Sequence, residues 1–125
     1  MARRAAIGSA ARVRSVPDFM RCLDVGLVTS HTEACSLTII EMMASKLPVV
    51  ATHVGGNSEL LSDGEDGRLA PAARPAAMAE AVLSLLDNES LRRNIGRRAA
   101  ESRKAVFGRT HDAGLSTALS TYPGF

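Results

Sequence analysis

Short apolar runs alternate along this chain with stretches whose apolar residues recur at helical spacing, and proline, glycine or small polar clusters punctuate the boundaries. Residues 12–16 read as a remnant strand. Pro17 suits the first turn of a helix, which predicts a short helix over 18–23 carrying Phe19, Met20 and Leu23. Val25-Gly26-Leu27-Val28 is nearly all apolar and bounded by polar residues, the pattern of a buried strand. Over 37–45, Ile39, Ile40 and Met43 lie three and four positions apart, which predicts a helix. Pro48 ends it, and Val49–Thr52 reads as a second buried strand. Gly55-Gly56 forms a tight loop, after which Asn57 or Ser58 caps a short helix through Leu61. A turn over 63–67 leads to a brief strand, Arg68–Ala70. Pro75–Leu86 reads as an amphipathic helix with Met78, Val82, Leu85 and Leu86 inward. Asn88 caps a last long helix whose stripe is Leu91, Ile95, Ala99 and Val106. Short buried strands alternating with helices imply an α/β fold built on a parallel sheet. Residues 1–11 form a basic, flexible N-terminus, residues 12–122 one partial domain, and residues 123–125 a tail.

Composition narrows the functional classes. At 125 residues the chain is one small domain or a piece of a larger one. A hydrophobic content of 46% suits a packed core. Aromatic content is only 3%, so stacked nucleic-acid recognition lacks its platforms and no nucleic-acid partner is expected. The net charge of +2 comes mostly from arginines spread over the N-terminus and the last long helix, a solvated basic face. Cys22 and Cys35 form no C-x-x-C pair and read as reduced thiols of a cytoplasmic protein. No apolar run reaches the length of a membrane span, and residues 1–14 carry arginines without the apolar core of a secretory signal.

The candidate chemistry centres on Glu33 and Glu41, which bracket the run Glu33-Ala34-Cys35-Ser36-Leu37-Thr38-Ile39-Ile40-Glu41. Eight residues at helical rise cover about 12 Å. Carboxylates that share acid/base work on one glycosidic bond sit about 5–9.5 Å apart. The spacing therefore suits two grips on one long ligand, such as the two sugars of a nucleotide-sugar. The turn from strand into helix also offers free N–H groups and a helix dipole to a phosphate, here the amides of Cys35, Ser36 and Leu37. His31, His53 and His111 show no metal-ligand spacing, so no metal is expected. His31 and His53 follow strand ends and, with Gly55 and Gly56, are candidates for a cleft rim. Ser30 lacks a nucleophile elbow.

Thr29-Ser30 before the glutamates, the apolar run 47–52 after them, and Val54-Gly55-Gly56-Asn57-Ser58-Glu59 complete an ordered set. As a set, over residues 13–122, it resembles the donor-site half of the GT-B-fold retaining glycosyltransferases, the "group 1" family. The resemblance implies a Rossmann-like parallel sheet with flanking helices, part of the C-terminal domain of such an enzyme. It also implies transfer of a sugar from a nucleotide diphosphate sugar to an acceptor hydroxyl, with retention and without a metal or other cofactor. By the same resemblance Glu33 contacts the transferred sugar and is the candidate catalytic residue. Glu41 contacts the ribose, and Ala34, Cys35, Ser36 and Leu37 line the donor turn. Ala34 and Ser36 replace glycines of the family pattern, so Cβ atoms enter the turn. Glu59 matches an acidic residue of the family but reads as structural, since acids are common in first turns.

The resemblance further implies that strands ahead of residue 25, with a basic pair for the diphosphate, and the acceptor domain lie outside this chain. Lys46, at the far end of the 37–45 helix, cannot replace that pair. Half a site remains, and a companion chain could supply the rest. The isolated chain is expected to be inactive. Strand 25–28 becomes an exposed sheet edge open to oligomer formation, and Phe19, Met20 or Ile40 is left partly uncovered. Two other readings stay open: a truncated, non-catalytic interaction module or remnant, and a sugar-nucleotide epimerase of the same fold. The ordinary alternative for Glu41 is a solvated position on an amphipathic helix, and for Glu33 a helix-start acid favoured by the dipole.

Overall fold

The computed structural model of the protein describes residues 12–34 and 36–107, with side chains as far as 102. Strands β1 (Gly26–Val28), β2 (Val49–Thr52) and β3 (Arg68–Ala70) form one sheet in that order, and both pairings are parallel. Val28 stands opposite Ala51, and Ala51 opposite Leu69. The helices among the described residues are α1 (Val16–Arg21), α2 (Leu37–Ala44), α3 (Asn57–Leu60), α4 (Pro75–Leu86) and α5 (Glu89–Phe107). Flanking helices on a three-stranded parallel sheet give the Rossmann-like α/β architecture expected from the alternation of elements.

β2 is the centre of the molecule, and all four of its residues are buried. Alternate residues of a strand face opposite sides. Val49 and Ala51 join Ile39, Met43 and Leu61 in one core, whereas Val50 packs with Ala81, Leu85 and Ile95 in the other. Both faces of the strand are thus covered, which is why its sequence is apolar without alternation. α5 serves both layers, with Ile95 in one and Ala99 in the other. It approaches the turn after α2 closely: a Cβ on Gly96 would collide with the Lys46 carbonyl. Arg92, though charged, is buried because its guanidinium donates to the Leu85 and Leu86 carbonyls at 3.0 and 3.1 Å. Both carbonyls lie at the end of α4, where the amides of a continuing helix are missing.

Several expectations hold, including the α2 stripe and the Asn88 cap, whose Oδ1 accepts from the Leu91 amide at 3.0 Å. Others need correction. Residues 12–15 form no strand, and the first helix starts earlier than expected. Ser15 accepts from the Asp18 amide as N-cap, so α1 runs Val16–Arg21 and Leu23 falls beyond it. The reading of 25–28 as a buried strand gives way to that of an exposed edge: among the described residues β1 pairs only with β2, and Leu27 is 51% exposed. Met20 and Ile40 are buried within the α2-side core, leaving Phe19 as the partly uncovered member of the expected three. Leu86 points outward while Ala81 takes an inward place, since Leu86 ends α4 and opens the exposed stretch 86–90. Neither Asn57 nor Ser58 caps α3. Its N-cap is Gly56, which makes no side-chain bond, and Asn57 turns inward instead. The expected inward side chain of Val106, the elements assigned to 1–11 and the tail lie outside the described residues.

Candidate functional site

Because β1 and β2 run parallel, the segments that leave them, 29–36 and 53–56, emerge at the same end of the sheet. Ligands of open α/β sheets bind outside these carboxyl ends. The two segments are joined by hydrogen bonds. The Gly56 amide donates to the Glu33 carbonyl at 2.8 Å. Gly55 adopts φ +41, and a Cβ there would overlap the same carbonyl oxygen. Only a residue without a side chain both accepts that backbone conformation and admits the neighbouring chain. A third link comes from Thr52, whose Oγ1 donates to the Ser30 carbonyl at 2.5 Å.

The Glu33 side chain is half-buried, and one of its carboxylate oxygens accepts from Ser30 Oγ at 3.1 Å. Together with His31, Thr32, Ala34, Val54 and Gly55 it lines an open cleft. The fold thus brings four of the sequence candidates together: His31, Glu33, Ala34 and Gly55. Gly56 lies buried behind them as a donor to Glu33, while His53 is exposed and its amide donates to the Ala70 carbonyl at 2.8 Å. Cys35 lies outside the described residues. Ser36 is buried as N-cap of α2, its Oγ accepting from the Ile39 amide at 3.2 Å. Leu37 opens α2 and is exposed, and Glu41 is half-buried one turn on. The first-turn N–H groups of a helix have no intrahelical acceptor. The start of α2 therefore turns donors and a positive dipole end to the side of the sheet where the cleft lies.

Sequence reasoning missed Thr52 and misassigned Asn57. The signal for Thr52 was present: a hydroxyl closing the apolar run Val49-Val50-Ala51 just before a loop. Among the described residues, no three or more His, Cys, Asp and Glu converge as a group that could hold a metal. Lys46 sits beyond the C-terminal end of α2, in a second cleft with Arg21, Asp24, Glu89 and Arg93, away from Glu33. No described helix is long and apolar enough to cross a membrane.

Short parallel strands flanked by helices, with the Glu33 segment pinned by a glycine loop at their carboxyl ends, resemble the C-terminal domain of GT-B glycosyltransferases. The family model described as "Glycosyl transferases group 1" matches residues 5–88, and the chain belongs to that family. It is 38% identical over 89 residues to the uncharacterized glycosyltransferase MJ1178 of Methanocaldococcus jannaschii, a match covering 71% of this chain and 25% of that protein. The chain thus spans about a quarter of that relative's length. Among solved structures, it resembles the C-terminal domain of the glycosyl transferase group 1 family protein LpcC from Francisella tularensis. The TM-score is 0.71 and identity 30%, over 81% of this chain and 52% of that domain. It also resembles Anabaena Alr3699/HepE in complex with UDP, with a TM-score of 0.70 and identity 25%, over 72% of this chain and 25% of that one.

Proposed function

We propose that this chain is the donor-binding portion of a retaining glycosyltransferase that takes a sugar from a nucleotide diphosphate sugar. The observation that carries the reading is the cleft at the carboxyl ends of β1 and β2, where the Gly55-Gly56 loop fixes Glu33 in a chain of the group 1 family. A similar fold holding UDP in Anabaena HepE supports the ligand class. Glu33 accepts hydrogen bonds from the hydroxyls of the transferred sugar. Glu41, one turn into α2, grips the ribose. The amides of Ser36 and Leu37, at the start of α2, receive the distal phosphate, where negative charge builds as the glycosidic bond breaks. An acceptor hydroxyl must then reach the anomeric carbon from groups outside this cleft, in a companion chain or a longer protein. The exposed free thiol of Cys22 fits a reducing, cytoplasmic setting.

Thermal unfolding of the purified chain with UDP-, GDP- and ADP-glucose tests this reading. One of the nucleotide-sugars is expected to raise the melting temperature by mass action, and more than the matching sugar alone does. No transfer is expected from the chain by itself. The absence of a shift with every nucleotide-sugar at millimolar concentration would remove the donor-binding role.

A further inference from the structure

Asn57 is fully buried, and its side chain is only half satisfied. Nδ2 donates to the Thr52 carbonyl at 3.0 Å, while Oδ1 finds no partner. A buried acceptor without a donor costs stability. A leucine, branched at the same carbon, would fill the space without that cost. Packing therefore does not explain the asparagine, but its position does. Its backbone amide donates to the Val54 carbonyl within the loop at 3.0 Å, while its side chain reaches the Thr52 carbonyl at the strand end, so Asn57 ties the loop after β2 back to that strand. From that loop two routes lead to Glu33. The Gly56 amide holds the Glu33 carbonyl. Thr52 Oγ1 holds the Ser30 carbonyl, and Ser30 Oγ holds the Glu33 carboxylate.

We infer that Asn57 is a positioning residue for Glu33, setting its backbone through Gly56 and its carboxylate through Thr52 and Ser30. It touches no ligand. It fixes where the carboxylate meets a sugar hydroxyl, so its effect falls on the sugar and spares the nucleotide. The functional part of this inference rests on the donor-binding reading; the structural part does not.

The test compares Asn57→Leu with the unaltered chain in two measurements. One is calorimetric affinity for UDP-glucose and for UDP, or for the nucleotide pair that the unfolding screen selects. The other is hydrogen exchange at the Gly56 amide, followed by NMR without ligand. In Asn57→Leu the melting temperature is expected to hold. The Gly56 amide should exchange faster while the amides of β2 stay protected. The extra affinity contributed by the sugar should fall roughly tenfold, the scale of one impaired hydrogen bond to a charged group, with UDP affinity unchanged. A Gly56 amide as protected as before overturns the inference, as does an equal loss for UDP-glucose and UDP. If the unaltered chain gains no affinity from the sugar, the donor-binding reading fails and Gly56 exchange alone decides the positioning role. Should Asn57→Leu not fold, Thr52→Val, which removes the donor to the Ser30 carbonyl, is read by the same comparison: a loss confined to the sugar supports the inference, and an equal loss for UDP-glucose and UDP, or none, overturns it.

Discussion

The Gly56 amide donates to the carbonyl of Glu33 at 2.8 Å, while the α-carbon of Gly55 leaves no room for a side chain beside the same oxygen. Residues 22 or more positions apart in sequence thereby become one rigid corner, in which the segment after β2 dictates the shape of the segment after β1. Gly55→Ala forces either the loop or the Glu33 backbone to move, and adds a side chain at φ +41. It is expected to lower stability by about 1–3 kcal/mol and to weaken nucleotide-sugar binding further than the loss of stability accounts for. Urea unfolding together with calorimetry separates the two effects. Unchanged stability would mean that the corner yields freely.

Glu41 is half-buried one helical turn beyond the start of α2. Removing its carboxylate in Glu41→Ala is expected to cost about 1.5–3 kcal/mol of nucleoside diphosphate affinity, the range for a hydrogen bond to a charged group. Free ribose and free sugar phosphates serve as controls in the same titration. Affinity that stays level across UDP, GDP and ADP would return Glu41 to the ordinary role of a solvated helix residue.

The strands and long helices were legible in the sequence because their signals are local. β2 is an uninterrupted apolar run before a threonine, and α2 repeats its buried residues three and four apart. Of the residues that line the Glu33 cleft, His31, Glu33, Ala34 and Gly55 were named as site candidates from the sequence, whereas Thr32 and Val54 were not. What stayed hidden depends on tertiary contact. That Leu27 is exposed follows from which strand ends up at the sheet edge; nothing within residues 25–28 encodes it, and only the resemblance implied it. Ser15 caps the helix that Pro17 placed only within a first turn, so the first helix starts earlier and no strand forms over 12–15. Asn57 reads locally as a helix cap, yet the carbonyl of Thr52, five residues back, claims its side chain. The link from Thr52 to Ser30 spans 22 positions and exists only once β1 and β2 pair.

Among the described residues β1 pairs on one side only, and Leu27 stands in its middle, 51% exposed. An apolar, uncharged edge offers its backbone groups to a further strand. We expect the purified chain to self-associate through this edge, with a second copy as the partner. Leu27→Lys should shift the population toward monomer in sedimentation velocity, without loss of helical signal in circular dichroism. A monomeric unaltered chain across the concentration range would show that the edge is covered in solution.

The claim on which the account turns is that a nucleotide-sugar enters the Glu33 cleft. The most direct measurement is an amide chemical-shift titration of the labelled chain with UDP-glucose, or with the nucleotide-sugar that the unfolding screen selects. Saturable shifts are predicted at Thr32, Glu33 and Ala34, at Ser36 and Leu37, and at Gly55 and Gly56. Arg21, Lys46 and Arg93, which line the other cleft, should stay still. Shifts confined to that second cleft, or none at millimolar ligand, would contradict the assignment.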